Sequence, residues 1–243
     1  MGEYHEACTL DEIDKLKIIQ PSTGPRVNMD TILLASWVKK LRGDSKFLEA
    51  GCATGAISLL LASKFTKNFH ITGLDIQSEL IKIAITNAQN NNLAERVNFI
   101  AGDLRDKNLF ARESFDGLVI NPPYSSISAG RESDNIARST ARLEITCTPD
   151  NVGELAFRVL KSRGRLFAVF ASARLDVFMN SMTKYKITPK RLKPVYPKIN
   201  CNSGIFLIEC VKHGGEGLIV MPPLIIRDKD NNYTHDLLDL YKF

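Results

Sequence analysis

Apolar and polar positions along this chain alternate between two periods. Short apolar runs bounded by turn residues, at 46–50, 69–74, 97–101, 115–120 and 166–170, read as buried strands. Two more strands are expected around 188–196 and 204–211. Between them lie helical patterns: a run over 56–65, then a segment with Ile81, Ala84, Ile85 and Ala88 at i, i+3, i+4 and i+7. Thr148-Pro149-Asp150 has the form of an N-cap followed by proline at the first helical position. The helix it opens carries Val152, Leu155, Ala156, Val159 and Leu160 on one stripe and is expected to close at Gly164, and another is expected near 174–183. Before this region, 16–20 reads as a short strand, and a helix with Asp30 as N-cap runs to Gly43. After it, 221–226 forms one extended piece ahead of a short final helix. Alternating strands and helices predict an α/β fold with a parallel sheet. No internal repeat or linker interrupts the pattern, so 1–243 reads as one domain: an extension over 1–43, a core over 44–213 and a tail over 214–243.

Polar residues recur where these strands end, which in an open α/β sheet is where ligands bind. The run 115–120 delivers Asn121-Pro122-Pro123-Tyr124 to such an end. Two prolines fix φ and lack N–H groups, so the turn is rigid and its carbonyls stay free of any ladder. The Asn121 side chain and the Pro122 carbonyl then offer two acceptors to the two hydrogens of a planar amine, with the flat face of Tyr124 beside them. Taken alone, the same residues are a Pro-Pro turn that ends a strand. Upstream, Glu49-x-Gly51-x-Ala53-x-Gly55 follows the first core strand, Asp75 ends the next strand twenty positions after Gly55, and Asp103 ends the third. Glycines let a backbone approach a ligand closely, and an acid at the second strand end suits ribose hydroxyls. The spacing departs from the pyrophosphate fingerprint, and a carboxylate at Glu49 repels a diphosphate but suits a cation. S-adenosylmethionine, with its sulfonium and ammonium and no phosphate, meets those terms, and Asp103 is placed to accept from the adenine amino group. Any one of these acids is equally well a helix N-cap; polar groups at four successive strand ends are less easily accidental.

Composition narrows the class. A hydrophobic fraction of 44% and a charged fraction of 24% belong to a water-soluble globular chain. No apolar run reaches the length of a membrane span, and the start, Met1 to Glu6, has no secretory pattern. Five scattered cysteines without metal-ligand spacing read as reduced thiols, and a cytoplasmic location is expected with no metal site. Net charge is +5, unevenly distributed: 158–198 holds eleven Lys/Arg and a single acid, Asp176, so the remainder is net acidic. A polyanion partner is one explanation and a solvated basic face the other. Lys184, Lys186, Lys190, Arg191 and Lys193 flank loop residues rather than an apolar stripe and are the candidate phosphate contacts.

Glu49-Ala-Gly-Cys-Ala-Thr-Gly55, Gly73-Leu-Asp75, Gly102-Asp103-Leu104 and Asn121-Pro-Pro-Tyr124 together resemble the ordered motifs of class I S-adenosylmethionine-dependent methyltransferases. More narrowly, the chain resembles the bacterial enzymes that methylate adenine N6 beside the anticodon of valine tRNA. That likeness extends to 16–21, 29–34, 141–147, 189–191 and 217–223 with Tyr233-Thr234, and so covers nearly the whole chain. Ala53 stands where the family usually has glycine. The resemblance implies a Rossmann-like, seven-stranded, mostly parallel sheet with its last strand antiparallel and helices on both faces. It also implies a tRNA partner, S-adenosylmethionine as cofactor, contacts to it from Glu49, Gly51, Gly55, Asp75, Ile76, Asp103, Leu104 and Asn121, and catalytic roles for Asn121, Pro122 and Tyr124. Similar turns serve enzymes acting on the glutamine amide of release factors or on guanine N2 of ribosomal RNA. A silent methyltransferase fold that only binds RNA is a further alternative. Monomer and dimer both remain open.

Overall fold

The computed structural model describes residues 8–23, 26–65, 68–122 and 147–241. Tyr124 and the loop expected over 125–141 lie outside the described residues. The core strands are β3 (Ser45–Ala50), β4 (Phe69–Asp75), β5 (Val97–Ala101), β6 (Phe115–Ile120), β7 (Leu160–Ala171), β8 (Ile187–Lys198) and β9 (Ile205–Lys212). They lie side by side in the order β5-β4-β3-β6-β7-β9-β8. β9 runs antiparallel between β7 and β8, and the other neighbouring pairs are parallel. The seven expected strands and the antiparallel seventh are therefore present. Beyond them the sheet carries two short edge strands, β10 (Ile219–Val220) and β11 (Leu224–Arg227), both parallel to β8. A separate hairpin of β1 (Cys8–Ile13) and β2 (Leu16–Pro21) precedes the core.

Helices cover both faces. On one, α1 (Met29–Trp37), α2 (Ala56–Lys64), α3 (Ser78–Asn90) and α6 (His235–Leu240) bury Leu33, Leu60, Ala84 and Leu237 in a core with Phe47, Phe69 and Phe167. On the other, α4 (Pro149–Val159) and α5 (Leu175–Lys184) bury Val152, Leu155 and Phe178 against Leu118, Phe170 and Phe206. Thr148 caps α4 as expected, accepting from the Asn151 amide. Three expected boundaries change. The cap of α1 is Asn28, not Asp30: the Asn28 side chain reaches the Thr31 amide, and Asp30 falls in the first turn, where its charge suits the helix dipole. Val38 is extended and ends that helix, while Gly43 takes a left-handed φ of 74° in the turn into β3. α4 stops at Val159 rather than Gly164, because Leu160 already pairs with Phe115; the ladder resumes past a bulge at Gly117 and Arg165.

The hairpin docks through two amides. Asn87 of α3 accepts from the Ile19 N–H and donates to the Ile19 carbonyl, and Asn91 does the same with Lys17. Side-chain amides thus stand in for a neighbouring strand along β2, satisfying backbone groups that burial would otherwise leave unpaired.

Part of the positive charge in 158–198 is engaged inside the fold. Glu209 on β9, with its side chain only 1% exposed, takes Arg165 on one oxygen and Arg191 on the other, at 2.8 Å for Arg191. The Arg191 guanidinium also lies 4.3 Å from the centroid of the Trp37 ring. Removing one partner of a buried ion pair costs about 3–5 kcal/mol where the remaining charge is left alone; Arg165 still faces Glu209, so the loss sits near the low end. Arg191→Ala should therefore lower unfolding free energy by about 3 kcal/mol in urea titration, whereas Lys39→Ala on the exposed loop after α1 should change it by less than about 0.5 kcal/mol.

Candidate active site

The strand order reverses between β3 and β6, the topological switch point of the sheet, and a cleft opens there at the carboxyl edge. It is lined by Ala50, Gly51, Leu74, Asp75, Ile76, Gly102, Asp103, Leu104, Pro122 and Cys147. Six of the expected site residues, Gly51, Asp75, Ile76, Asp103, Leu104 and Pro122, thus share one wall-to-wall surface. Asn121, half-buried, follows β6 directly, with no side-chain hydrogen bond among the described residues. Asn121, Glu49 and Gly55 are not among the residues that line the cleft.

The glycine-rich turn is pinned from below. Gly51 and Cys52 donate to the Leu74 carbonyl at 2.8 and 3.0 Å, and Gly51 adopts φ 74°. A Cβ built on Gly51 meets nothing within 4 Å, so the position faces open space. Gly55 differs: a Cβ there would come within 2.4 Å of the Phe99 ring, and one at Gly73 within 2.5 Å of it. Those two glycines make room for Phe99 between α2 and β4. Ala53 takes φ 46°, a conformation costly for any residue with a Cβ.

Asp75 holds that turn in place. One carboxylate oxygen accepts from the Ala53 N–H at 2.8 Å, and the other from the Gln77 N–H at 2.9 Å, just ahead of α3. Each oxygen keeps a second lone-pair direction for another donor. Asp103 is held by Arg105, whose Nε and terminal nitrogen both reach its carboxylate; this contact holds the Asp103 carboxyl below the usual carboxylate range. Arg158 near the end of α4 donates to the carbonyls of Leu104 and Asp106 at 3.0 and 2.8 Å. It fixes the loop that carries Asp103 and Leu104. Arg158, the first cation of the basic stretch, is thus buried behind the cleft. Cys147, just before α4, contributes a thiol pushed up to about 12 by burial, hence neutral.

Two of the five candidate phosphate contacts sit far from this edge. β8 runs parallel to β7, so Lys186, which precedes it, lies toward the amino edge; Lys190 is turned to the carbonyls of Gly215 and Glu216 after β9. Lys184 pairs with Asp150, and Arg191 is locked on Glu209 and Trp37. The side chains of Lys186 and Lys193 have no acceptor among the described residues. Three of the five candidate cations, Lys184, Lys190 and Arg191, are thus engaged within the fold.

A family model described as a methyltransferase domain matches residues 41–221. The chain belongs to the methyltransferase domain family. A tRNA1(Val) (adenine(37)-N6)-methyltransferase of Dickeya chrysanthemi (strain Ech1591) is 26% identical, the match spanning 86% of this chain and 83% of the relative. One of the same description from Haemophilus influenzae (strain KW20 / Rd) is 25% identical over 93% of each chain. Among solved structures, a predicted O-methyltransferase from Agrobacterium tumefaciens superposes with a TM-score of 0.70 at 17% identity, covering 87% of this chain and 95% of that one. The last likeness concerns the fold alone.

Within this methyltransferase, Glu49 lies under the cleft floor. It is 2% exposed and accepts from both the amide and the hydroxyl of Ser58, in the first turn of α2, at 2.9 and 2.5 Å. Burial raises its carboxyl from 4.5 to about 8; the Ser58 bonds oppose that rise and the Asp75 charge adds to it. The folded protein then holds a proton that the unfolded chain has released above pH 4.5. Its contribution to stability is complete below that pH and is lost as pH rises toward about 8. Glu49→Gln should remove this decline, which is at most about 1.4 kcal/mol per pH unit, in unfolding curves compared across that window. Asp75→Ala strands the Ala53 and Gln77 amides at once and should cost about 1–3 kcal/mol of stability in the ligand-free protein. Urea midpoints unchanged from wild type would mean that the two amides find other acceptors.

Proposed function

We propose that this methyltransferase transfers a methyl group from S-adenosylmethionine to the exocyclic N6 of an adenine in tRNA, at position 37 of valine tRNA. The observation that carries the reading is the end of β6 at the switch point: Asn121 follows the strand and leads directly into Pro122, which lines a cleft with carboxylates and no cation among its lining residues. Likeness to relatives of that description over most of the chain supports the same substrate. The division of the chain into an extension over 1–43, a transferase core over 44–213 and a tail over 214–243 belongs to this reading, and so does a cytoplasmic site of action. No helix among the described residues is long and apolar enough to cross a membrane.

The cleft fits the cofactor on its own chemistry. Asp75 and Asp103 suit hydroxyl and amino donors, Ile76 is an apolar side chain 48% exposed beside them, and Gly51 leaves open space. In this reading Asp75 accepts from ribose hydroxyls through the lone pairs its amide bonds leave over, and Ile76 and Leu104 cover the adenine faces. Asp103 accepts from the adenine amino group. Gly51 gives the methionine portion backbone access, and Glu49 and Gly55 support the turn from beneath. Bound S-adenosylmethionine supplies an electrophilic methyl group on a sulfonium.

The chain's own task is to make a poor nucleophile reactive. The lone pair of an aromatic amine is delocalised into its ring. The Asn121 side-chain oxygen and the Pro122 carbonyl accept its two N–H bonds and draw the nitrogen out of conjugation. Tyr124 stacks on the base, a contact of roughly 1–3 kcal/mol. The target nucleotide is turned out of its stack to reach the rim. Positioning and electrostatics carry the reaction, because the cationic product amine sheds its proton without a strong base.

The test is incubation with labelled S-adenosylmethionine and total tRNA lacking the modification, followed by nucleoside analysis. N6-methyladenosine in valine tRNA is the expected product; label in a release factor instead would move the substrate to a glutamine amide. Asn121→Ala should lower turnover about 100-fold or more while cofactor affinity stays within a few-fold. Near wild-type turnover in that variant would remove Asn121 from the amine site.

A further inference from the structure

The carboxyl edge continues past Asn121, across β7, β9 and β8 to β11. At its far end β11 pairs in parallel with β8, in a register that sets Arg227 directly beside Lys198. Two like charges on neighbouring strands repel each other, and no carboxylate forms an ion pair with either among the described residues. The nearby Asp228 is turned inward, accepting from the amides of Asp230 and Asn232 in its own loop. Tyr233 bridges back to Arg227 and lies with its ring centroid 4.2 Å from the guanidinium carbon. Arg227 is fixed further by a 2.7 Å bond to the Asn231 carbonyl. With one face on the guanidinium, the Tyr233 side chain is still 46% exposed.

This cluster stands on the same edge as the cleft. β8 runs parallel to β7 and Lys198 is its last residue, so Lys198 and Arg227 beside it lie at the carboxyl edge. Burial, with Tyr233 and Asp30 adding to it, holds the Tyr241 hydroxyl of the tail above its ordinary value. At about 4.8 Å per strand, β11 lies about 19 Å from β6 along the sheet.

We propose that Lys198, Arg227 and Tyr233 bind the single-stranded RNA flanking the target adenine. The lysine and arginine face phosphates, and the open face of the tyrosine stacks on a base. Two unneutralised cations beside a half-exposed aromatic ring are the combination that single-stranded nucleic acid recognises, and the span of about 19 Å places the contact on neighbouring nucleotides rather than on the methylated one. The inference rests on the tRNA reading above. It moves the RNA contact from the middle and start of β8 to its end and to the tail strand beside it.

Binding of unmodified tRNA and methylation kinetics, measured over a range of salt concentrations, test it. Lys198→Glu should weaken tRNA about 10-fold at low salt and reduce the slope of log K against log salt by about 1. Tyr233→Ala should weaken it roughly 5- to 100-fold with little change in slope. Both should raise KM and leave kcat and S-adenosylmethionine affinity unchanged. Lys40→Glu, the same charge reversal on the exposed loop after α1, should behave as wild type. If Lys198→Glu lowers the unfolding midpoint, Lys198→Gln replaces it, with a smaller loss expected. Wild-type tRNA affinity in the Lys198 and Tyr233 variants, or a loss matched by Lys40→Glu, would overturn the inference and leave the tRNA reading standing. A wild-type protein that neither binds nor methylates tRNA would overturn that reading, and the inference with it.

Discussion

The carboxylate of Asp75 is the tie on which the cleft depends. Its two oxygens take the Ala53 and Gln77 amides, joining the turn after β3 to the start of α3 across the end of β4. Without it, Ala53 has little reason to remain at φ 46°, where its Cβ is crowded. The same turn is secured from the opposite side by Asn87, which donates to the Thr54 carbonyl while it binds the Ile19 backbone of the hairpin. The N-terminal hairpin, the first turn and α3 therefore meet at one buried amide and one buried carboxylate. This links a segment outside the core strands to the geometry of the cleft.

The second constraint is electrostatic. Glu209 is buried in the middle of the sheet's β9 and stays there with two guanidiniums around it, one from β7 and one from β8. Lys212 is likewise buried, donating to Glu113 and to the Leu160 carbonyl. Such groups must be paired once removed from water. Within the basic stretch, Glu209 thus takes up Arg165 and Arg191, and Arg158 is buried behind the cleft.

Strand positions and the polar groups at their ends were legible because each is a local signal: an apolar run, then a glycine, acid or asparagine. The six expected residues that meet in one cleft followed from topology alone, since parallel strands bring their carboxyl ends to one edge. What could not be read depends on distant partners. Nothing near Gly55 announces Phe99, and nothing near Arg191 announces Glu209 or Trp37. Nothing near Asn87 and Asn91 announces β2, about seventy residues upstream, with whose backbone they pair. Lys198 and Arg227 are unremarked in sequence, and only the register of β8 with β11 sets them side by side.

The switch point divides the sheet into two halves with different work. From β3 outward through β4 and β5, the strand ends carry Gly51, Asp75 and Asp103, and the loops beyond them are cross-tied by Leu74, Arg105 and Arg158. That half presents Asp75, an Asp103 held by Arg105 and open space at Gly51, with no cation among the cleft's lining residues. From β6 outward, Asn121 and Pro122 come first, and the antiparallel β9 then returns the chain so that β8 and the tail strands extend the same edge. This half ends in cations and an exposed ring, as a polyanion requires. A methyl donor and a nucleic acid carry opposite charge, and a surface suited to one repels the other. Placing them on opposite sides of the β3–β6 crevice lets each meet its own field, with the reacting groups brought together only where the halves join.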